Sequence, residues 1–209
     1  MAHDFDKDYW ERHWEQHRRT APAEDIGSAP HPYLGRETAG LTPGTALDAG
    51  CGSGAEAIWL ATRGWHVTAA DIAARALARD AEDAANASLS GSVRWVEADL
   101  TIWEPGRRFD LVATSYAHPA MPQAAFYRRI AAWVAPGGTL LIVGHLHEPD
   151  STGNAGPPAE AGTTLADITS ELDPTTWRIE TAAEHSREFA RGGRAVALHD
   201  VVVRATRLV

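Results

Sequence analysis

The chain has 209 residues, enough for one domain with a full core, and its 44% hydrophobic and 22% charged content is ordinary for a globular protein. A formal net charge of −9, with no basic patch to offset it, repels polyanions and disfavours duplex DNA or long RNA as partners. Cys51 is the only cysteine, which excludes an intrachain disulfide and points to a reducing compartment; no apolar run suits a bilayer, and the polar start "MAHDFDKDYW" is unlike a secretory signal. A cytoplasmic location is expected.

Taken in chain order, "DKDYWERHWEQHRRT" reads as a helix with Trp10 and Trp14 one turn apart. "APAEDIGSAPHPYLG" then reaches the core without regular structure. From residue 45 short β-rich runs alternate with Ala-rich helical ones. "TALDAG" is a strand and "GAEAIWLATRG" a helix closed by Gly64; "WHVTAADI" is the second strand and "AARALARDAEDAANAS" the second helix. "SVRWVEADL" and "FDLVATSY" are strands three and four. "MPQAAFYRRIAAWVAPGG" is expected as a helix with Phe126, Ile130, Trp133 and Val134 on one face, followed by "TLLIVGHLH" as strand five.

The Gly/Pro/Ser-rich stretch 148–162 is either a plain connection or a lid over the site. "TTLADITSEL" is a short helix ending before Pro174, and two long β-rich runs separated by "RGG" form an antiparallel hairpin. Alternating β and α units with apolar strands predict a doubly wound, mostly parallel seven-stranded α/β sheet carrying a C-terminal antiparallel hairpin. Residues 1–40 are expected as a helical lid or substrate segment on a single ligand-binding domain, residues 41–209. Trp-rich terminal segments leave a homodimer possible.

The loop "LDAGCGSGAEA" joins strand one to the first helix, where a doubly wound sheet presents a helix N-terminus to its ligand. Gly50, Gly52 and Gly54 allow tight turning and close approach to the main chain. Asp71, at the tip of strand two, can accept from ribose hydroxyls or cap the next helix, and Asp99, at the tip of strand three, can accept from an adenine amino group or cap a turn. Pyrophosphate loops favour G-x-G-x-x-G without nearby carboxylates; here Asp48 precedes the first glycine by two and Glu56 follows the third by two. An acidic loop suits a cationic ligand such as a sulfonium with an α-ammonium group.

The "LDAGCGSG" loop, Asp71, "EADL", "FDLVATSY" and "VAPGGTLLIVG" together resemble, in order and spacing, the class I S-adenosylmethionine-dependent methyltransferases. "DYWERHW" and "YAHP" are similar to the thiopurine and tellurite-resistance group among them. The resemblance implies S-adenosylmethionine as cofactor. It implies that Asp48 and the loop backbone around Cys51 meet the methionine end, Asp71 the ribose, and Ile72, Asp99 and Leu100 the adenine. Thr114 and Ser115 would approach the donor's amino-acid end. "SYAHP" departs from the D/N/S-P-P-Y/F motif of nucleic-acid amino-methyltransferases, which favours a small-molecule acceptor.

Methyl transfer from a sulfonium needs alignment and desolvation, and a protic acceptor needs a base, for which histidine is suited. His118 is the expected base, with Tyr116 and His145 beside it and His147, Trp10 and Trp14 contacting the acceptor. Main-chain hydrogen bonding or plain packing by these residues is the competing reading. No metal is expected. The alternatives are a nicotinamide-dependent oxidoreductase, disfavoured by the loop, and a non-catalytic S-adenosylmethionine-binding module.

Overall fold

The computed structural model describes residues 5–20, 29–78, 92–146, 162–191 and 194–209, the side chains at 17–20, 188–191 and 194–196 excepted. Its strands are β1 (Thr45–Ala49), β2 (His66–Asp71), β3 (Val93–Glu97), β4 (Phe109–Ser115), β5 (Val134–Leu146), β6 (Gly162–Thr163), β7 (Trp177–Arg191) and β8 (Arg194–Arg207). They form one sheet in the order β3-β2-β1-β4-β5-β8-β7, with β6 beside the end of β5. The pairs from β3 to β5 are parallel, while β8 runs antiparallel to both β5 and β7. The doubly wound sheet and its reversed hairpin match expectation; the two-residue β6 adds an eighth strand to the seven expected.

Alternation explains why these strands look apolar throughout. Leu140 and Ile142 of β5 join one buried cluster with Phe126 and Ile130, whereas Leu141 and Val143 join the opposite cluster with Leu34 and Leu60. The central strands therefore bury both faces, as helix-covered parallel sheets require, whereas the edge strands β3 and β7 stay largely exposed or half-buried. On one face lie α2 (Pro32–Thr38) and α3 (Ala55–Ala61), on the other α5 (Gln123–Ala131) and α6 (Leu165–Ser170). Between them in sequence, α4 is described over residues 74–78, and the rest of the expected second helix lies outside the described residues, as do His147 and all of 148–162 except Gly162.

Two expectations need correction. The helix expected to run from Met121 to Gly138 ends at Ala131, and Val134 already starts β5. Pro136 has no N–H to continue a helix, Gly137 sits at φ +77°, and the Trp133 carbonyl accepts from Phe109 N at 2.9 Å, so the chain is captured by the sheet. Trp133 and Val134 still share the cluster of Phe126 and Ile130. The segment "HPYLG", read as irregular, instead opens α2. His31 caps it, its Nδ1 accepting from Tyr33 N and Leu34 N, both at 3.2 Å, with Pro32 in the first turn. The helix is too short to announce itself by periodicity. Its buried Glu37 accepts from Thr181 Oγ1 at 2.8 Å and Arg204 Nη1 donates to the Glu37 carbonyl at 2.8 Å, so the hairpin completes it.

The N-terminal helix α1 (Lys7–Thr20) crosses the carboxyl ends of the strands. Lys7 pairs with Glu97, Glu11 Oε1 accepts from Ala74 N at 2.9 Å, and Arg75 pairs with Glu15 at 2.9 Å. Trp10 Nε1 donates to the His118 carbonyl at 3.1 Å. These contacts anchor α1 to both the β2–β3 side and the β4 side of a cavity.

Candidate active site

The cavity, about 420 Å³, opens at the strand tips on the side where parallel α/β sheets hold ligands. The glycine loop forms its floor. Gly50 lies at φ +79° and a Cβ there would stand 2.4 Å from Ala117 Cβ; Gly52 lies at φ +51° and a Cβ there would meet the Trp14 indole at 2.6 Å. Side chains are thus excluded twice, by backbone conformation and by space. Gly54, at φ +66°, begins α3 and is not among the residues facing the cavity.

Asp71 clamps this loop. One carboxylate oxygen accepts from Gly52 N and the other from Ala73 N, both at 2.9 Å. Burial raises its pKa against the pull of those two N–H groups. The carboxylate caps the next segment and also lines the cavity. Glu56 also lines it, and burial raises this carboxyl as well although it accepts from His31 N at 3.0 Å. Asp48, 1% exposed, sits behind the loop and faces the same space.

Asp99 caps its own turn, accepting from Thr101 N at 2.9 Å and Thr101 Oγ1 at 2.6 Å, and it lines the cavity with Ile72, Ala98 and Leu100. Cys51 is a buried lining residue. Ser115 faces the cavity, but Thr114 does not: its hydroxyl donates to the Ala49 carbonyl at 2.8 Å. Side chains alternate along a strand, so two consecutive residues cannot both point inward.

Rings line much of the rest of the cavity. Trp10 and Trp14 are joined by Phe5, Tyr9 and His13, residues the sequence did not single out, and by Tyr116, His118 and His145. The His118 and His145 rings lie 5.8 Å apart, and Tyr116 lies 4.6 Å from His145. Burial, reinforced by His145, lowers the His118 pKa to about 4, opposed by a hydrogen bond with Gln123; burial lowers His145 too. Both imidazoles are neutral near neutral pH. The three residues expected to act together are brought together.

Tyr116 is held from behind by groups that sequence reasoning missed. It occupies φ +54°, an uncommon conformation for a non-glycine residue. Arg187 Nη2 donates to its hydroxyl at 3.3 Å and Arg187 Nε to Asp200 Oδ2 at 2.6 Å; Tyr33 Oη donates to that same oxygen at 2.8 Å. Asp200 is fully buried, directly across from His145 in the antiparallel β5–β8 pair. Burial raises the Tyr116 pKa, so the phenol keeps its proton.

Whether the residues fit a sulfonium nucleoside can be judged from this donor set. A bare loop that no Cβ could share, carboxylates at three strand tips and no Lys or Arg among the described lining residues accommodate a cation and disfavour a pyrophosphate. They fit.

Comparison with known proteins agrees. Residues 46–138 match the family model described as a methyltransferase domain. The chain is 29% identical over 156 residues to "Probable thiol methyltransferase 2" of Arabidopsis thaliana, covering 72% of this chain and 66% of that protein, just under two thirds of its length. The fold is similar to TehB from Haemophilus influenzae, with TM-score 0.73, 15% identity, and 96% of this chain and 67% of that chain covered. It is also similar to magnesium protoporphyrin IX methyltransferase from Synechocystis PCC 6803 with bound SAH, at TM-score 0.70, 20% identity, and 96% and 97% coverage.

Proposed function

We propose, from the match of residues 46–138 to a methyltransferase domain, that the protein is a class I S-adenosylmethionine-dependent methyltransferase that transfers a methyl group from S-adenosylmethionine to a small-molecule acceptor. The observation that carries this reading is the cavity itself, where the glycine loop, the strand-tip acids and the aromatic wall converge. A bound S-adenosylmethionine supplies a methyl group already activated on a sulfonium sulfur.

The protein's own part is to bind, orient and exclude water. Asp48 and the loop around Gly50, Cys51 and Gly52 hold the methionine end, with Ser115 nearby. Asp71 has lone pairs left for ribose hydroxyls beyond its two backbone partners. Ile72 and Leu100 pack on the adenine and Asp99 accepts from its amino group. Helix α1, through Trp10 and Trp14, covers the mouth and keeps water out.

His118 takes the acceptor's proton. Its imidazole is already neutral, so no prior deprotonation is needed, but a conjugate acid near 4 is weak at holding a proton. Brønsted matching therefore favours acceptors that ionise readily over alcohols. Tyr116, whose hydroxyl accepts from Arg187 and hydrogen-bonds Asp200, is held fixed by that pair and orients the acceptor through its ring, with His145.

Calorimetry with S-adenosylmethionine, S-adenosylhomocysteine and NADH tests the reading. Binding of both sulfur nucleosides, lost in Asp71→Ala, is expected. Tight NADH binding without them would replace it by the oxidoreductase alternative.

A further inference from the structure

Arg129 is not among the residues facing the cavity, yet it grips the segment that builds one of its walls. Residues 98–108 carry the chain from the tip of β3 to the start of β4 and contain neither helix nor strand. Ala98, Asp99 and Leu100 line the cavity. Ala98 N donates to the Asp71 carbonyl at 2.8 Å, which ties the entry of the segment to β2. Beyond it the shape is set by a turn. Ile102 N and Trp103 N donate to the Asp99 carbonyl at 3.1 and 2.8 Å, and both Thr101 bonds to the Asp99 carboxylate fall on Oδ1, so Oδ2 takes no part. These bonds are internal to the turn, so they fix its shape but not its place on the molecule.

Arg129 supplies the place. In the last turn of α5 its neighbour Arg128 reaches out to Glu171 and is 67% exposed, the ordinary use of a basic side chain at a helix C-terminus. Arg129 is 23% exposed and turns inward. Its Nε donates to the Leu100 carbonyl at 2.8 Å and its Nη2 to the Trp103 carbonyl at 2.7 Å, while Nη2 also pairs with Glu104 at 2.9 Å. Glu104 accepts from Trp133 Nε1 at 3.0 Å, and the Trp133 ring meets that of Trp103 at 5.7 Å and 77°. One guanidinium thus satisfies two carbonyls that lie outside any helix or ladder, and its planar fork holds them at a fixed spacing.

Resting on the methyltransferase reading, we propose that Arg129 is a positioning residue for donor specificity: its fork on the Leu100 and Trp103 carbonyls holds Asp99 where its carboxylate reads the 6-amino group of adenine. An amino group donates to that carboxylate, whereas a 6-oxo group presents lone pairs to it, so a held carboxylate separates adenosyl from inosyl compounds. Releasing the fork lets the turn slide. The hydrogen bond weakens steeply with distance and angle, while apolar contact with the purine face, from Ile72 and Leu100, is non-directional and tolerates the slide. Loss of Arg129 therefore acts on discrimination more than on binding as such.

Calorimetry on the full chain compares S-adenosylhomocysteine with S-inosylhomocysteine, whose bases differ by an amino against an oxo group. The unaltered protein is expected to prefer the adenosyl compound at least roughly tenfold. Arg129→Met keeps an unbranched stem beside Trp133 and removes the donors; it is expected to cut that preference roughly tenfold, chiefly by weakening the adenosyl compound. Arg129→Lys keeps the charge without the fork and is expected to recover only part of the preference; should Arg129→Met not fold, it carries the same comparison. Arg128→Met, one residue away, is expected to leave both affinities unchanged. A preference that survives replacement of Arg129, or equal weakening of both compounds, overturns the proposal and reduces Arg129 to general support of the fold. An unaltered protein that binds both compounds alike overturns it too. Failure of the unaltered protein to bind S-adenosylhomocysteine sinks the methyltransferase reading beneath it.

Discussion

Replacing His118 by Gln should flatten the dependence of stability on pH. In the folded chain burial and the neighbouring His145 hold this imidazole at about 4 instead of 6.5, and unfolding returns it to its ordinary range. Between those values the unfolded state carries a proton that the folded state refuses. The sign follows: the contribution is fully present above about pH 6.5 and is lost as pH falls toward about 4. Linkage over that interval amounts to about 2 kcal/mol lost by roughly pH 5 from this one side chain. His118 is 8% exposed, so solvent screens little of it. Asp71 and Glu56, whose carboxyls burial raises, act in the opposite sense but are present in both proteins and cancel in the comparison. Urea unfolding at about pH 7 and 5 should show the unaltered protein losing about 2 kcal/mol more than His118→Gln. Equal losses would mean that the imidazole is not held neutral in its pocket, and the case for a ready proton acceptor would go with it.

Gly50→Ala combines a left-handed backbone with a Cβ 2.4 Å from Ala117; it should cost about 1 kcal/mol in backbone strain alone and weaken S-adenosylhomocysteine binding at least roughly tenfold by calorimetry. Arg187→Met strips the guanidinium from the fully buried Asp200 and should destabilise the chain by about 3 kcal/mol or more in urea, whereas adding Asp200→Leu should recover much of that loss. Thr164→Ala removes the capping box of α6, in which Thr164 Oγ1 accepts from Asp167 N at 3.1 Å, at a cost of about 1 kcal/mol seen as a lower melting temperature.

Features governed by short-range rules were legible in the sequence. Strand alternation, the Gly64 stop of the first core helix and the RGG hairpin each depend on a few adjacent residues. The glycine loop is the clearest instance, since three positive φ angles can be read from three glycines between a strand and a helix. Errors arose where neighbours along the chain mislead. Val134 continues the helical stripe of Phe126 and Ile130, yet it is captured by pairing with Phe109 of β4. Thr114 and Ser115 both sit at a strand tip, and only the pleat separates the inward residue from the outward one.

The sequence by itself determined the layered sheet, the place of the ligand loop and the acids at the strand tips, because periodicity and turn chemistry are local. Tertiary structure alone decided how Tyr116 is held. His31 and Tyr33 from the start of α2, Arg187 from β7 and Asp200 from β8 meet at its ring or hydroxyl, or at the carboxylate beyond it. Only the strand order β4-β5-β8-β7 brings the hairpin beside the fourth-strand tip. No spacing in a linear chain encodes which strands become neighbours. The same holds for the aromatic lining: Phe5 and Tyr9 acquire meaning once α1 lies across the cavity against His118.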